Sequence, residues 1–234
     1  IMHEHAGFLN RWVFHDYAKA NHRYRQAVAS KKATPEAYGA LASLSFAEGE
    51  YQETADLLKE AVRHSPKDPY LRIMLSKAMV RSGHVDEAVE AASAGKSMAE
   101  SPAEDSPAAL MALGEAHKAK GEMDAAIDSF NRALSTRPNF LDCRLSLADI
   151  YLSRGDLESA QNEVEYVLKR EPENPDASYW AGKIAMAKGE TGKASDYLQG
   201  AVSMRPVNDH SRMVPYETVI SSLAEVRRFV DRTT

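Results

Sequence analysis

The chain has 234 residues, of which 44% are hydrophobic and 27% are charged, and its net charge is −5. This composition is that of an ordinary water-soluble globular protein and excludes an intrinsically disordered chain. No apolar run approaches the roughly 20 residues that a membrane-spanning helix needs, so no direct membrane span is predicted. Because Cys143 is the single cysteine, an internal disulfide framework and a cysteine zinc cluster are excluded.

Residues 1–34 are basic, with six Lys and Arg against two Asp and Glu. Small and aromatic residues recur there at helical spacing, at Tyr17, Ala20, Tyr24 and Ala27. Two interpretations stay open: the second helix of a degenerate helical pair, or one continuous helix that begins near Phe8 and Trp12. The basic charge suits docking on an acidic partner or on another copy of the chain. Nucleic acid is not predicted as a partner, because no basic stripe continues along the sequence.

Five glycines mark a repeat over residues 35–207, since they are 34, 38, 34 and 34 residues apart: Gly49, Gly83, Gly121, Gly155 and Gly189. The clearest copy spans residues 107–140, and its other recurring residues are Leu110, Leu113, Gly114, Ala126, Phe130, Ala133 and Pro138. This pattern resembles the tetratricopeptide repeat (TPR), a helix–turn–helix unit that stacks with its neighbours. The resemblance implies an all-α fold, a right-handed α-solenoid of five repeats at residues 35–68, 69–106, 107–140, 141–174 and 175–207.

The second copy departs most from the pattern. Ala92 stands where the other copies have a large apolar residue, Gly95 replaces an alanine, and the closing proline is displaced to Pro102. Four extra residues fall in the sequence MAESPAEDSPAA, whose prolines, serines and acids predict a surface loop. A contact specific to a partner is the alternative interpretation of this insertion.

Residues 208–234 predict a C-terminal capping helix, which an open-ended stack needs to cover its last apolar face. Pro215 suits the first turn of this helix. Apolar residues then recur every three or four positions, at Tyr216, Val219, Ile220, Leu223, Val226 and Val230. The positive charges of this helix lie on its outer side and near its C-terminal end, where positive charge is favoured, at Arg227, Arg228 and Arg232.

Catalytic motifs are missing: the sequence has no P-loop, dinucleotide fingerprint, G-x-S-x-G or H-E-x-x-H. His3, His5 and His15 are a candidate metal set, but histidines near a terminus are more often unstructured. His117, in a place usually aromatic in the family, is interpreted as a packed, hydrogen-bonded residue. We therefore predict no enzymatic activity, no metal and no cofactor.

The resemblance also implies a binding surface, because the first helix of each TPR lines a concave groove that holds a peptide or a partner helix. Transferred repeat by repeat, this rule predicts ten partner-binding residues: Tyr70, Lys77, Met111, Glu115, Lys118, Asp149, Asp176, Tyr179, Trp180 and Lys183. The adjacent aromatic residues of the fifth repeat, ringed by charge, predict the main contact site there. The alternative is that Trp180 is a core residue between the fifth repeat and the cap, and that Met111 only packs the inner face.

The predicted function is a non-enzymatic scaffold or adaptor whose groove binds a protein or peptide. By analogy of fold, the setting is a bacterial multiprotein assembly such as a secretion, envelope or polysaccharide-export system, cytoplasmic or periplasmic. Gly39 and Ser43 replace the lysine and asparagine with which TPR co-chaperones hold a C-terminal carboxylate, which disfavours that function. The alternative is a regulatory or substrate-presenting segment of a larger enzyme such as a glycosyltransferase.

Overall fold

The computed structural model describes residues 17–30, 33–98, 106–204, 214 and 216–233. His3, His5 and His15 and the predicted loop at residues 99–105 lie outside these ranges. The described part contains twelve α-helices and no strand, which confirms the all-α prediction. The helices are α1 Tyr17–Ala29, α2 Pro35–Ala47, α3 Tyr51–His64, α4 Pro69–Ser82, α5 Val85–Met98, α6 Pro107–Lys120, α7 Met123–Thr136, α8 Leu141–Ser153, α9 Leu157–Leu168, α10 Pro175–Ala187, α11 Thr191–Ser203 and α12 Tyr216–Thr233.

Each predicted turn glycine separates the two helices of one repeat. All five have a positive φ, between 77° and 87°. At Gly121, an added Cβ would meet no atom within 4 Å. The glycine is therefore required by the left-handed backbone of the turn, which strains any residue with a Cβ, and not by lack of space.

Proline and a capping side chain begin several of the first helices. Pro35, Pro69 and Pro175 occupy the first turn of their helices, where a missing N–H costs nothing. The side chain of the preceding residue accepts hydrogen bonds from the free backbone amides of that turn; for α4, Asp68 Oδ1 lies 2.8 Å from the Tyr70 amide. These local signals fix where the first, second and fifth repeats start.

The chain forms two compact units, Ile1–Ser129 and Phe130–Thr234, and the division falls within α7. In the first unit, one departure of the second repeat, Gly95, has a structural reason. A Cβ on Gly95 would lie 3.3 Å from Ile73 Cγ1 and from the Pro69 carbonyl oxygen. The helices α4 and α5 approach so closely there that the usual alanine fits only if its neighbours shift.

In the second unit, α12 packs on α11 as the predicted cap. Val219, Leu223 and Val226 are at most 6% exposed and share one core with Leu198 of α11. Ile220, which the sequence pattern placed among the apolar residues of this helix, is 39% exposed. It lies one residue past Val219 and so falls outside the buried stripe.

The basic helix α1 packs on α2 and buries Ala20, Tyr24 and Ala27 of the residues that sequence spacing singled out, with Ala20 fully buried and Tyr24 4% exposed. Arg25 of α1 donates two hydrogen bonds to the Glu53 carboxylate of α3, one of them 2.9 Å long. Ser45 Oγ donates to the same carboxylate over 2.9 Å. Side-chain bonding therefore reinforces the apolar packing of α1.

The Arg25–Glu53 pair predicts a pH-dependent contribution to stability. Hydrogen bonding to Arg25 holds the pKa of Glu53 below its usual value near 4.5, against the opposing effect of burial. A pKa lowered by folding stabilises the chain above about pH 4.5, and the effect is lost as pH falls through the folded value. Since the Glu53 side chain is 34% exposed, we expect screening to limit the contribution to about 1 kcal/mol or less.

Glu53→Gln is accordingly expected to lower the melting temperature at pH 7 and to lower it less at about pH 3, because wild type loses the same contribution as pH falls below the usual pKa near 4.5 and through the folded value. Thermal melts at the two pH values measure this, with the exposed Glu90→Gln as the matched control. An equal loss at both pH values would mean that packing, not ionisation, explains the effect.

Candidate partner-binding faces

In the first unit, two predicted groove residues lie exposed on α4. Tyr70, in the first turn, is 62% exposed, the largest value among the described large hydrophobic residues. Lys77 follows seven residues later, on the same helical face, and is also exposed. An aromatic ring and a cation about 10 Å apart along one helix give a partner both contact area and an electrostatic register.

The three predicted residues of α6 differ in accessibility. Met111 is 7% exposed and belongs to the packed interior. Glu115 and Lys118, one turn apart, are half-buried and form an ion pair with a 3.3 Å N–O distance. The ion pair is thus partly accessible to a partner, whereas the side chain of Met111 is almost entirely covered.

An aromatic and cationic cluster in the same unit was missed by sequence reasoning. The ring of Phe46 packs edge-on against Tyr51 with centroids 5.2 Å apart. The Arg81 guanidinium lies 4.8 Å from the Tyr51 ring centroid and donates to Tyr51 Oη over 2.7 Å. Tyr51 and Arg81 are 30 residues apart, so only the stacking of repeats brings them together.

In the second unit, Tyr179 is 5% exposed and packs with Val219, Leu223 and Val226 of the cap. Its hydroxyl shares a hydrogen bond with Ser222, and burial raises the pKa of the phenol above its usual value of 10. A partner would reach this ring only after displacing α12. The contact site predicted at the fifth repeat therefore coincides with the packing of the cap.

Asp176 is also covered, at 5% exposure. Its Oδ1 accepts a hydrogen bond of 3.2 Å from the backbone amide of Val214. Val214 is itself buried in the same core as Tyr179. The carboxylate thus ties the chain just before α12 to the first turn of α10.

Trp180 is half-buried and stands edge-on to Tyr179, with ring centroids 4.9 Å apart. It packs against the cap cluster and against the core shared by α8, α9 and α10. Its Nε1 atom is buried and has no hydrogen-bond acceptor within the described residues. Asp149 and Lys183, the remaining predicted residues, are half-buried. Of the fifth-repeat residues, Lys183 is thus the one whose charge remains accessible.

A second missed cluster lies where the fourth repeat begins. The Tyr166 ring is sandwiched between the guanidinium groups of Arg144 and Arg170, each 3.5 Å from its centroid. Arg144 also bonds to Glu163 over 2.7 Å and to the Pro138 carbonyl over 3.1 Å. Arg72 bonds to the Pro66 carbonyl in the same way. These arginines hold a first helix against the turn that precedes it. We therefore assign them a structural role and not a binding role.

The described residues hold no group of three or more His, Cys, Asp or Glu that could bind a metal ion. His117 is half-buried, and its Nδ1 lies 2.6 Å from Glu122 Oε2, beside the Lys120 ammonium, which agrees with its interpretation as a hydrogen-bonded residue. Among the helices of the described ranges, none has the length and apolarity needed to cross a membrane.

Comparison with known proteins identifies the family. A model described as tetratricopeptide repeat matches residues 6–69, 73–139 and 145–209, and a second such model matches residues 45–96 and 117–165. The search of curated proteins gives no match.

Several solved structures share the fold. A tetratricopeptide repeat protein from Parabacteroides merdae is 17% identical, with a TM-score of 0.79 over 97% of this chain and 83% of its own. A thermophilic TPR protein from Thermus thermophilus is 18% identical, with a TM-score of 0.71 over 83% of this chain and 99% of its own. PilW is 16% identical, with a TM-score of 0.71 over 94% of this chain and 97% of its own. Because the repeat model also covers well over half of the sequence, this chain belongs to the tetratricopeptide repeat family.

Proposed function

We propose that this protein is a non-catalytic scaffold that binds a segment of a partner protein along the first helices of its repeats. The observation that carries the proposal is the exposed pair of α4, Tyr70 at 62% exposure with Lys77 two turns further on. A large exposed ring offers contact area that a partner can bury, and tyrosine is enriched in interaction hot spots. The half-buried Glu115–Lys118 pair adds charges of both signs to the first helices of the same unit.

The setting that we propose is a multiprotein assembly, such as a bacterial secretion, envelope or polysaccharide-export system. PilW, a neighbour in fold, is described as a type IV pilus biogenesis factor. Tetratricopeptide repeat proteins are in general scaffolds without catalytic activity, which supports the class of function. At 16% identity the likeness extends to the fold alone, so the assembly itself is the finer part of this proposal.

Selection from a random peptide library on the immobilised full chain tests the binding face. Peptides that bind wild type are expected to lose about tenfold or more in affinity for Tyr70→Ala and for Lys77→Glu, measured by isothermal calorimetry. Tyr197→Ala is the matched control, since Tyr197 is an exposed tyrosine, 41% accessible, on the second helix α11. Peptides that are sensitive to Tyr197→Ala and insensitive to both α4 variants would place binding on the second helices and contradict the proposal.

A further inference from the structure

A wide cleft on the second-helix side of the first unit has no role in the proposed function. It has a volume of about 850 Å³ and is lined by α1, α2 and α3. Val28, Tyr38 and Leu57 form its apolar floor, and Glu53, Asp56 and Glu60 of α3 supply its acidic groups. We name this site the α3 cleft.

The acidic groups of the α3 cleft are not equally available. Glu53 accepts hydrogen bonds from Arg25, whose positive charge neutralises it within the unit, and from Ser45. Asp56 is exposed on the next turn. Glu60 pairs with Arg63, but their side chains are 42% and 73% exposed, and such exposed pairs contribute little and exchange partners readily. Asp56 and Glu60 therefore give the rim a negative potential open to an incoming cation.

The outer face of α12 is an unpartnered helix surface that is acidic at its start, at the exposed Glu217, and basic further along, at Arg227 and Arg228. Ile220 is 39% exposed, and Ala224, Arg227 and Arg228 follow it on the same side, all exposed. The opposite side of α12 is buried against α11. Two apolar residues followed by two cations thus face solvent. We name Ile220, Ala224, Arg227 and Arg228 the α12 stripe.

The two surfaces match in length and in charge. Ile220 and Arg227 are seven residues apart, as are Glu53 and Glu60, and each pair spans about 10 Å of helix. Each surface combines apolar area with charge, basic on the stripe and acidic on the cleft. A helix laid in an apolar groove with complementary charges is a common mode of recognition. We propose that the α12 stripe of one molecule docks in the α3 cleft of a second copy of this chain.

Such a contact joins two different surfaces, so it is heterologous and produces either a closed ring or an open row of copies. Neither surface includes Tyr70 or Lys77. Self-association would therefore leave the α4 face of every copy available and would present several such faces to a partner at once, which strengthens binding without new contacts.

Sedimentation velocity of the full chain over a wide range of concentrations tests the proposal. Wild type is expected to associate as concentration rises, and less so at high salt, because salt screens the charges. The double variant Arg227→Glu/Arg228→Glu is expected to weaken association about tenfold or more, and so is Asp56→Lys/Glu60→Lys. An equimolar mixture of the two double variants should recover association, since each then offers one reversed surface to its complement.

Lys67→Glu/Lys193→Glu is the control for Arg227→Glu/Arg228→Glu, because it changes net charge by the same amount and in the same direction at exposed positions outside both surfaces, and it should associate as wild type does. Circular dichroism melts establish that each variant is folded. A wild type that stays monomeric at every concentration overturns the proposal and assigns the cleft to a basic helix of another protein. Association that survives both double variants, or that fails to return on mixing them, overturns it as well. Peptide binding through Tyr70 is measured separately, so either proposal can fail alone.

Discussion

Replacing Gly182 by alanine is expected to lower the free energy of unfolding by about 1 to 3 kcal/mol, through overpacking. Gly182 lies where α10 crosses α11. A Cβ at this position would stand 2.7 Å from Leu198 Cγ and 3.0 Å from its Cδ2. Leu198 is fully buried, so its side chain cannot turn away without leaving its core.

Leu198→Ala provides the test of this cause. Alone it is expected to cost about 2 to 5 kcal/mol, because it leaves a cavity. Combined with Gly182→Ala, the total should be clearly smaller than the sum, since the new methyl group occupies space that the leucine has vacated. Urea denaturation measures all three variants. Gly192→Ala is the matched control, because a Cβ there meets no atom within 4 Å; additive losses, or an unaffected Gly182→Ala, would contradict the close crossing.

The repeat architecture was predictable because the same packing problem recurs along the chain. Each hairpin needs a small residue where its helices cross, a large apolar residue facing its neighbour and a left-handed turn. Gly182, Leu198 and Gly189 meet these needs in the fifth repeat, and Gly114, Phe130 and Gly121 do so in the third. Periodic residues of this kind report backbone geometry directly. The prediction of the turns is confirmed by their positive φ.

The accessibility of the groove residues was less predictable, because a repeat rule assumes that every copy has equivalent neighbours. The fifth repeat has the cap beside it. Asp176 bonds to Val214, 38 residues away, and Tyr179 packs under α12, so neither follows the rule. On α4 the rule and the structure agree, since Tyr70 and Lys77 are exposed. The ten-residue binding face remains a prediction, and the exposed residues of α4 are now its best-supported part.

The cluster of Tyr51 and Arg81 and the α3 cleft were missed for one physical reason. Tyr51 and Arg81 belong to adjacent repeats, and the α3 cleft combines side chains of three helices. None of these contacts follows the period of a single helix. A cation placed 30 residues after an aromatic residue, so that it falls in the next copy, is the signal that could have found the first cluster.

Tyr179→Ala is expected to lower the free energy of unfolding by about 3 to 5 kcal/mol, as for other large buried aromatic residues. The ring fills a core with Val219, Leu223 and Val226, so its loss should loosen α12 as well as α10. Urea denaturation gives the total, and hydrogen exchange should show the lost protection in these two helices first. If Tyr179 were instead an exposed contact residue, the same change would affect stability by less than about 0.5 kcal/mol.

Two further variants separate packing from binding at this position. Tyr179→Phe keeps the ring and removes only the bond to Ser222, so a loss of about 1 kcal/mol is expected. Lys183→Ala alters a half-buried charge one turn away and is expected to leave stability nearly unchanged. In wild type, the phenol of Tyr179 should titrate above its usual pKa of 10, because the ring is buried. A Tyr179→Ala protein as stable as Lys183→Ala would show that α12 does not cover this ring, and would return Tyr179 to the partner-binding face.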